Sequence, residues 1–73
     1  MEQLEFVRAD FYSCGTIVPL GMKRKRESSI IIEKVLESQT ISDANGHKGK
    51  RFTCAANKCE IVLLYFKNKW YID

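Results

Sequence analysis

The sequence predicts a mainly β protein, a small single-domain curled antiparallel sheet or barrel that ends in a three-stranded meander. Three consecutive isoleucines, Ile30–Ile32, favour a strand because β-branched side chains pack well on a pleated surface. Two Asn-Lys dipeptides, Asn57–Lys58 and Asn68–Lys69, each separate two strand-like runs. Turn signals recur at short intervals along the chain, which is typical of small barrels. SH3-like and OB-like barrels are therefore the expected architectures.

The meander is predicted to comprise strands at about 51–56, 59–67 and 70–73. Asparagine tolerates the left-handed backbone conformation that a two-residue hairpin turn requires. Turns at both Asn-Lys dipeptides predict the cross-strand pairing. In the first hairpin Ala56 pairs with Cys59 and Phe52 with Leu63, and in the second Lys67 pairs with Trp70 and Tyr65 with Ile72.

The predicted register sorts the meander side chains into two faces. The face expected to meet the core carries Phe52, Cys54, Ala56, Cys59, Ile61, Leu63, Tyr65, Trp70 and Ile72. The opposite face is polar at one end and apolar at the other, where it carries Val62, Leu64, Phe66 and Tyr71. A strand that is apolar on both sides is usually covered on both sides. The expected cover is the N-terminal segment, the curled sheet itself or a second copy of the protein.

Upstream of the meander, a further strand is predicted at about 29–37. Ser28 or Ser29 followed by Glu33 resembles a helix start, so a helix is the competing interpretation. The segment 42–50 contains an Asn-Gly dipeptide and is predicted to be a loop between two antiparallel strands. Pro19 cannot donate to a strand ladder, which predicts an edge or a strand end for the extended segment 15–21.

Residues 4–14 fit two interpretations. Leu4, Phe6 and Arg8 alternate as a strand would, whereas Leu4, Val7, Phe11 and Cys14 fit a helical stripe. We prefer the strand.

Length and composition predict one domain over residues 1–73. The chain is 45% hydrophobic and 29% charged, as ordinary globular proteins are. Its longest apolar run is far short of the roughly 18 residues of a membrane span. The beginning "MEQLEF" lacks the basic residues of a secretory signal. We expect a cytoplasmic protein without a membrane partner.

The distribution of charge predicts a nucleic-acid-binding module. The net charge of +3 is modest, but the basic residues are clustered, and aromatic residues lie near the last cluster. Basic side chains contact phosphates and exposed rings stack on bases. For the basic run at 23–26 alone, a solvated edge or loop is an equally good explanation. The predicted binding residues are Lys23, Arg24, Lys25, Arg26, Lys48, Lys50, Lys67, Lys69 and Tyr71.

The alternative function is a protein-interaction module or homodimer that buries Val62, Leu64, Phe66 and Tyr71 against a partner, with no catalytic activity. The two hypotheses predict different responses to salt. Phosphate binding weakens steeply as salt rises. Burial of an apolar patch would depend instead on an anchor such as Phe66.

The three cysteines and the single histidine raise the question of a zinc site. Cys14, Cys54, Cys59 and His47 are the right number and type of ligand, but no Cys-x-x-Cys pair is present. Small buried hydrophobic residues are the preferred interpretation of the cysteines. No nucleotide-binding loop, carboxylate pair or nucleophile–base arrangement appears, so we expect neither a cofactor nor an enzyme.

Overall fold

The computed structural model describes residues 2–24 and 26–73, which form eight strands and no helix. None of these residues belongs to a helix capable of spanning a bilayer. The predicted class, a small curled antiparallel β protein ending in a three-stranded meander, is confirmed. The strands are β1 (Glu2–Leu4), β2 (Phe6–Phe11), β3 (Ile17–Lys23), β4 (Ser29–Ile31), β5 (Lys34–Ser42), β6 (Lys48–Ala56), β7 (Cys59–Phe66) and β8 (Lys69–Ile72).

The strands form two antiparallel sheets that are joined at both sides. The five-stranded sheet has the order β1-β8-β7-β6-β5, and the three-stranded sheet has the order β2-β3-β4. A bend at Glu5 leads from β1 into β2. A second bend leads from β4 into β5. There the Ile32 N–H donates to the Leu20 carbonyl of β3, and the Glu33 N–H donates to the Ala55 carbonyl of β6, each at 2.9 Å. Two bent strands therefore pass from one sheet to the other.

Within the smaller sheet β3 pairs with β2 and β4. In the larger sheet β5 to β8 pair in chain order and β8 returns to pair with β1, so within the described chain only the bent β1–β2 and β4–β5 connections join strands that do not pair. In such an arrangement consecutive turns lie at opposite ends of the sheets. The turns at 12–16, 43–47 and 67–68 share one end, which we call the Lys50 end. The β3–β4 turn, the turn at 57–58 and the start of β1 share the other, which we call the Arg24 end. An Arg24–Glu2 contact of 3.0 Å joins two of these segments.

The core lies between the two sheets. Side chains from both sheets contribute, with Val7, Ala9, Ile17 and Ile30 of the smaller sheet packing against the buried residues. Trp70 lies between two rings, with its centroid 5.7 Å from that of Phe52 and 4.8 Å from that of Tyr65. The main buried cluster comprises Leu4, Met22, Ile32, Phe52, Cys54, Leu63, Trp70 and Ile72.

The first meander hairpin has the predicted register. Ala56 pairs with Cys59 and Phe52 with Leu63. The turn residues Asn57 and Lys58 have φ values of 50° and 63°, as a type I′ turn requires. The backbone of Lys58 therefore adopts the left-handed conformation at the turn position where glycine is usual.

The predicted register of the second hairpin is wrong by one turn position. The turn is Lys67–Asn68, with φ values of 49° and 64°, and Tyr65 pairs with Trp70. The Tyr65 hydroxyl donates to Asn68 Oδ1 at 3.0 Å, which ties the turn to β7. The shift moves Trp70 deeper into the core, onto the Tyr65 ring. Because moving the turn by one residue on both strands keeps the alternation, the two predicted faces remain the same.

The upstream half departs from the predictions in detail. The strand predicted at 29–37 is two strands, because the chain bends at Ile32–Glu33. The loop predicted at 42–50 is shorter, since β5 includes Ser42 and β6 begins at Lys48. The preferred strand in residues 4–14 is confirmed. Pro19 lies within β3 beside a register irregularity in the β2–β3 pairing, where β4 does not reach.

Candidate nucleic-acid interface

The outer face of the three-stranded sheet combines an exposed aromatic ring with basic side chains. Val7, Met22 and Ile30 pack against the core, so the alternate residues face outward. Phe6 lies opposite Lys23 in the β2–β3 ladder and is 65% exposed. A phenylalanine this exposed contributes little to the core, and its ring is accessible from solvent.

The second row across this face contains a depression. Arg8 pairs with Gly21 on one side, and Ile31, which is 68% exposed, pairs with Gly21 on the other. The missing side chain at Gly21 leaves a hollow of about 200 Å³ beside the Phe6 ring. A Cβ at Gly21 would lie 3.2 Å from the Ile30 carbonyl oxygen, so the floor has little room for a side chain.

A larger groove continues from Phe6 towards the Arg24 end. Its volume is about 540 Å³, and Phe6 forms a wall common to the groove and the hollow. Its basic lining residues are Lys23, Arg24 and Arg26, and its acidic one is Glu5. The basic excess favours an anionic ligand. Lys25, which the sequence assigns to the same run, lies outside the described residues.

The basic side chains of this groove differ in exposure and in hydrogen bonding. Arg24 donates to Glu2 Oε1 at 3.0 Å, and this hydrogen bond raises the pKa of the guanidinium. The pair is well exposed, so solvent screens it and its contribution to the stability of the fold is small. Lys23 and Arg26 are exposed. Arg26 has a φ of 65° in the β3–β4 turn.

The remaining predicted binding residues lie elsewhere. Lys48, Lys67 and Lys50 belong to the Lys50 end, and Lys50 Nζ donates to Thr40 Oγ1 at 3.0 Å. Lys69 and Tyr71 lie on the outer face of the five-stranded sheet, opposite Phe66 and Leu64 respectively. The structure therefore divides the predicted set among the Arg24 end, the Lys50 end and the outer face of the five-stranded sheet. It does not bring them onto one surface.

Phe6 and Arg8, which lie on the outer face of the three-stranded sheet, are not among the binding residues predicted from the sequence, although they belong to the alternating pattern from Leu4. Strict alternation from Leu4 would place Phe6 in the core. Leu4 is indeed buried, but the bend at Glu5 changes the phase between β1 and β2. Phe6 consequently faces outward. In the sequence, the only sign that the alternation breaks here is Glu5, which lies between the apolar residues Leu4 and Phe6.

The apolar residues on the outer face of the five-stranded sheet are buried to different extents. Leu64 is 6% exposed, whereas Val62, Phe66 and Tyr71 are half-buried. Both sheets turn their other faces to the shared core, so among the described residues no second layer lies on this side. Of the three expected covers, neither the N-terminal segment nor the curled sheet provides one.

The cysteines do not meet. Cys54 is buried, and burial raises the pKa of its thiol to about 11. Cys14 and Cys59 are exposed, at the Lys50 end and the Arg24 end respectively. Across residues 2–24 and 26–73, no three His, Cys, Asp or Glu side chains come close enough together to hold a metal ion. The zinc arrangement considered from the sequence is therefore not formed by these side chains.

The fold and the surface together define a small antiparallel β protein with a basic, aromatic outer face. Comparison with known proteins finds no matching family model, no matching curated protein and no matching solved structure.

Proposed function

We propose that this protein binds single-stranded nucleic acid on the outer face of β2, β3 and β4. The observation that carries the proposal is the exposed Phe6 ring, which lies opposite Lys23 in the β2–β3 ladder and shares its sheet surface with Arg8, two residues further along β2. Bases stack on exposed aromatic rings, and neighbouring cations hold the phosphates. A base stacked on Phe6 would lie next to the hollow above Gly21.

Single strands suit this surface better than a duplex does. The described residues of this face form a shallow sheet surface, and none of them belongs to a helix or protruding ribbon that would enter a groove of the duplex. The bases of a single strand are free to stack on a ring, whereas those of a duplex are stacked on each other.

The salt dependence follows from the number of free cations. Arg8, Lys23 and Arg26 are exposed, whereas Arg24 is engaged by Glu2. Three phosphate contacts on a single strand give a slope of about −2 in a plot of log K against log salt. The test is fluorescence anisotropy with labelled single-stranded and duplex 12-mers of DNA and RNA at several salt concentrations.

Two pairs of variants locate the surface. Phe6→Ala should weaken binding by about 5- to 150-fold, because one stacked base contributes about 1–3 kcal/mol. Tyr12→Ala is the matched control, since Tyr12 is 53% exposed but lies at the Lys50 end. Lys23→Glu should weaken binding and lower the salt slope, whereas Lys48→Glu makes the same change in net charge at the opposite end. Absence of binding at low salt, or equal effects of the variants within each pair, would refute the proposal.

A second proposal is self-association through the outer face of the five-stranded sheet. It is supported by the half-buried Val62, Phe66 and Tyr71, which form one apolar patch around Leu64. Sedimentation should then show a dimer that persists at high salt. Val62→Lys should dissociate it, while Gln39→Lys on the same sheet face should not. A monomer at high protein concentration would rule this proposal out.

A further inference from the structure

The free edge of β5 forms one side of a gap between the two sheets. β5 ends the order of the five-stranded sheet, and within the described chain only β6 pairs with it. Across the gap, β4 pairs with β3 only over Gly21–Lys23, so residues 17–20 of β3 have no strand on that side. We call this gap between β3 residues 17–20 and β5 residues 36–42 the seam. It opens because the chain turns towards β6 after the Ile32 N–H has bonded to β3.

The seam contains a groove with an apolar floor and one cation. Its volume is about 350 Å³. Ile17 and Val18 line it from β3, and Val35 and Phe52 line it from the five-stranded sheet. Among the described residues that line it, only Lys50 is charged, and Ser38 is a polar lining residue on the β5 side. The Lys50 ammonium donates one hydrogen bond, to Thr40, and retains two further donors.

The β5 edge has few of the devices that usually protect a free strand edge. Residues 36–42, "LESQTIS", contain one charged residue, Glu37 on the outer sheet face, and no lysine, arginine or proline. Natural sheets place such residues on edges to prevent pairing with other chains. The free edge of β2, by contrast, carries Arg8 and Asp10. A bulge at Leu36, which is also a protective feature, lies at the start of the exposed stretch and leaves residues 37–42 in regular pairing with β6.

From these three features we infer that the β5 edge accepts an extended peptide segment of a partner protein as an added strand. The segment pairs its backbone with residues 37–42 of β5. Alternate side chains of a strand point to the same face, so one apolar side chain enters the groove and an acidic one meets Lys50. This site is separate from the nucleic-acid surface and does not rest on that proposal.

The groove argues for a foreign peptide over a second copy. Antiparallel pairing of β5 with β5 of another molecule keeps like faces together. The inward-facing side chains supplied by the second copy would then include Ser38 and Thr40, which neither fill an apolar groove nor neutralise Lys50. A peptide with an apolar residue and a carboxylate does both.

The test is selection from a displayed library of random 10-residue peptides on the immobilised full chain. The selected peptides are then measured by fluorescence polarisation against three variants. Ser38→Phe fills the groove from an exposed position and should abolish binding. Gln39→Phe is the control, because its side chain points to the other face of the same strand. Lys50→Gln should weaken peptides that contain a carboxylate by at least about tenfold and leave neutral ones unchanged.

Amide hydrogen exchange supplies the second readout. A saturating selected peptide should slow exchange in β5 residues 37–42 by pairing with their free backbone groups. Failure to enrich peptides above the Ser38→Phe background would overturn the inference. So would binding that Ser38→Phe and Gln39→Phe reduce equally. A dimer of the native chain that Ser38→Phe dissociates would assign the edge to a second copy and also overturn it. Phe6→Ala should leave peptide binding unchanged, which separates this result from the nucleic-acid test.

Discussion

Replacement of Gly49 by alanine tests the packing of the outer sheet face. Gly49 lies in β6 opposite Phe66 of β7. A Cβ at this position would lie 2.6 Å from Cδ1 and Cε1 of the Phe66 ring and 2.6 Å from the Tyr65 carbonyl oxygen. The ring could rotate away, but the carbonyl belongs to the ladder. Insertion of the methyl group therefore requires a shift of the two strands.

Two effects of opposite sign determine the magnitude. Alanine is favoured over glycine in a strand by about 0.5–1 kcal/mol through backbone entropy. Overpacking against a fixed backbone costs about 1–3 kcal/mol. We expect Gly49→Ala to lower the free energy of unfolding by about 1–2 kcal/mol overall. In a domain of this size that corresponds to a decrease in Tm of about 4–16 °C.

The assay is urea denaturation followed by the fluorescence of Trp70, the only tryptophan. Ala55→Gly is the matched control, since Ala55 lies on the same strand and the same outer face. It should destabilise by about 0.5–1 kcal/mol through entropy alone. Glycine would then be the more stable residue at position 49, and alanine the more stable residue at position 55. A Gly49→Ala protein as stable as the native one, or more stable, would refute the packing argument.

Two further predictions concern ionisable groups. With dithionitrobenzoate at pH 8, the buried Cys54, whose pKa burial raises to about 11, should react only on unfolding, whereas the exposed Cys14 and Cys59 should react in the folded state. The hydrogen bond to Thr16 lowers the pKa of Cys14, and Cys14→Ser should reduce the number of thiols that react before unfolding from two to one. The Asp43 carboxylate accepts backbone N–H groups of His47 and Asn45, which lowers its pKa. Its stabilising contribution is therefore complete above the unfolded pKa of about 3.9 and is lost as the pH falls through the lower folded value. The Tm difference between the native chain and Asp43→Ala should be present at pH 6 and shrink below pH 4, whereas Asp43→Asn, which keeps a side-chain acceptor, should lie closer to the native chain at pH 6.

The sequence was most informative where two local signals agreed. In the first hairpin, the Asn57–Lys58 turn and the alternation on either side predict the same pairing, and the structure has it. In the second hairpin, turns at Lys67–Asn68 and Asn68–Lys69 leave the same residues on each face. Alternation could not distinguish them. The choice depends on how Trp70 packs against the Tyr65 ring, a contact that becomes available only in the folded core.

Bends were the features that local patterns did not reveal. Ile30–Ile32 and the residues after them fit one continuous strand, yet Ile32 bonds to one sheet and Glu33 to the other. The bend at Glu5 likewise decided that Phe6 faces outward. Both bends arise because a curled sheet must fold over its own core, which is a property of the whole chain. Hence the sequence predicted the basic residues of the candidate surface, Lys23, Arg24 and Arg26, but did not predict its aromatic residue, Phe6.

The order of the strands has a consequence for folding kinetics. Every pairing but one joins neighbouring strands, and such local contacts close short loops at low entropic cost. The exception is β1 with β8, where Glu2 meets Ile72 across almost the whole chain. Hairpins should therefore form early, and the closure of β1 onto β8 should come last. Substitutions in β1, such as Leu4→Ala, should then accelerate unfolding far more than they slow folding.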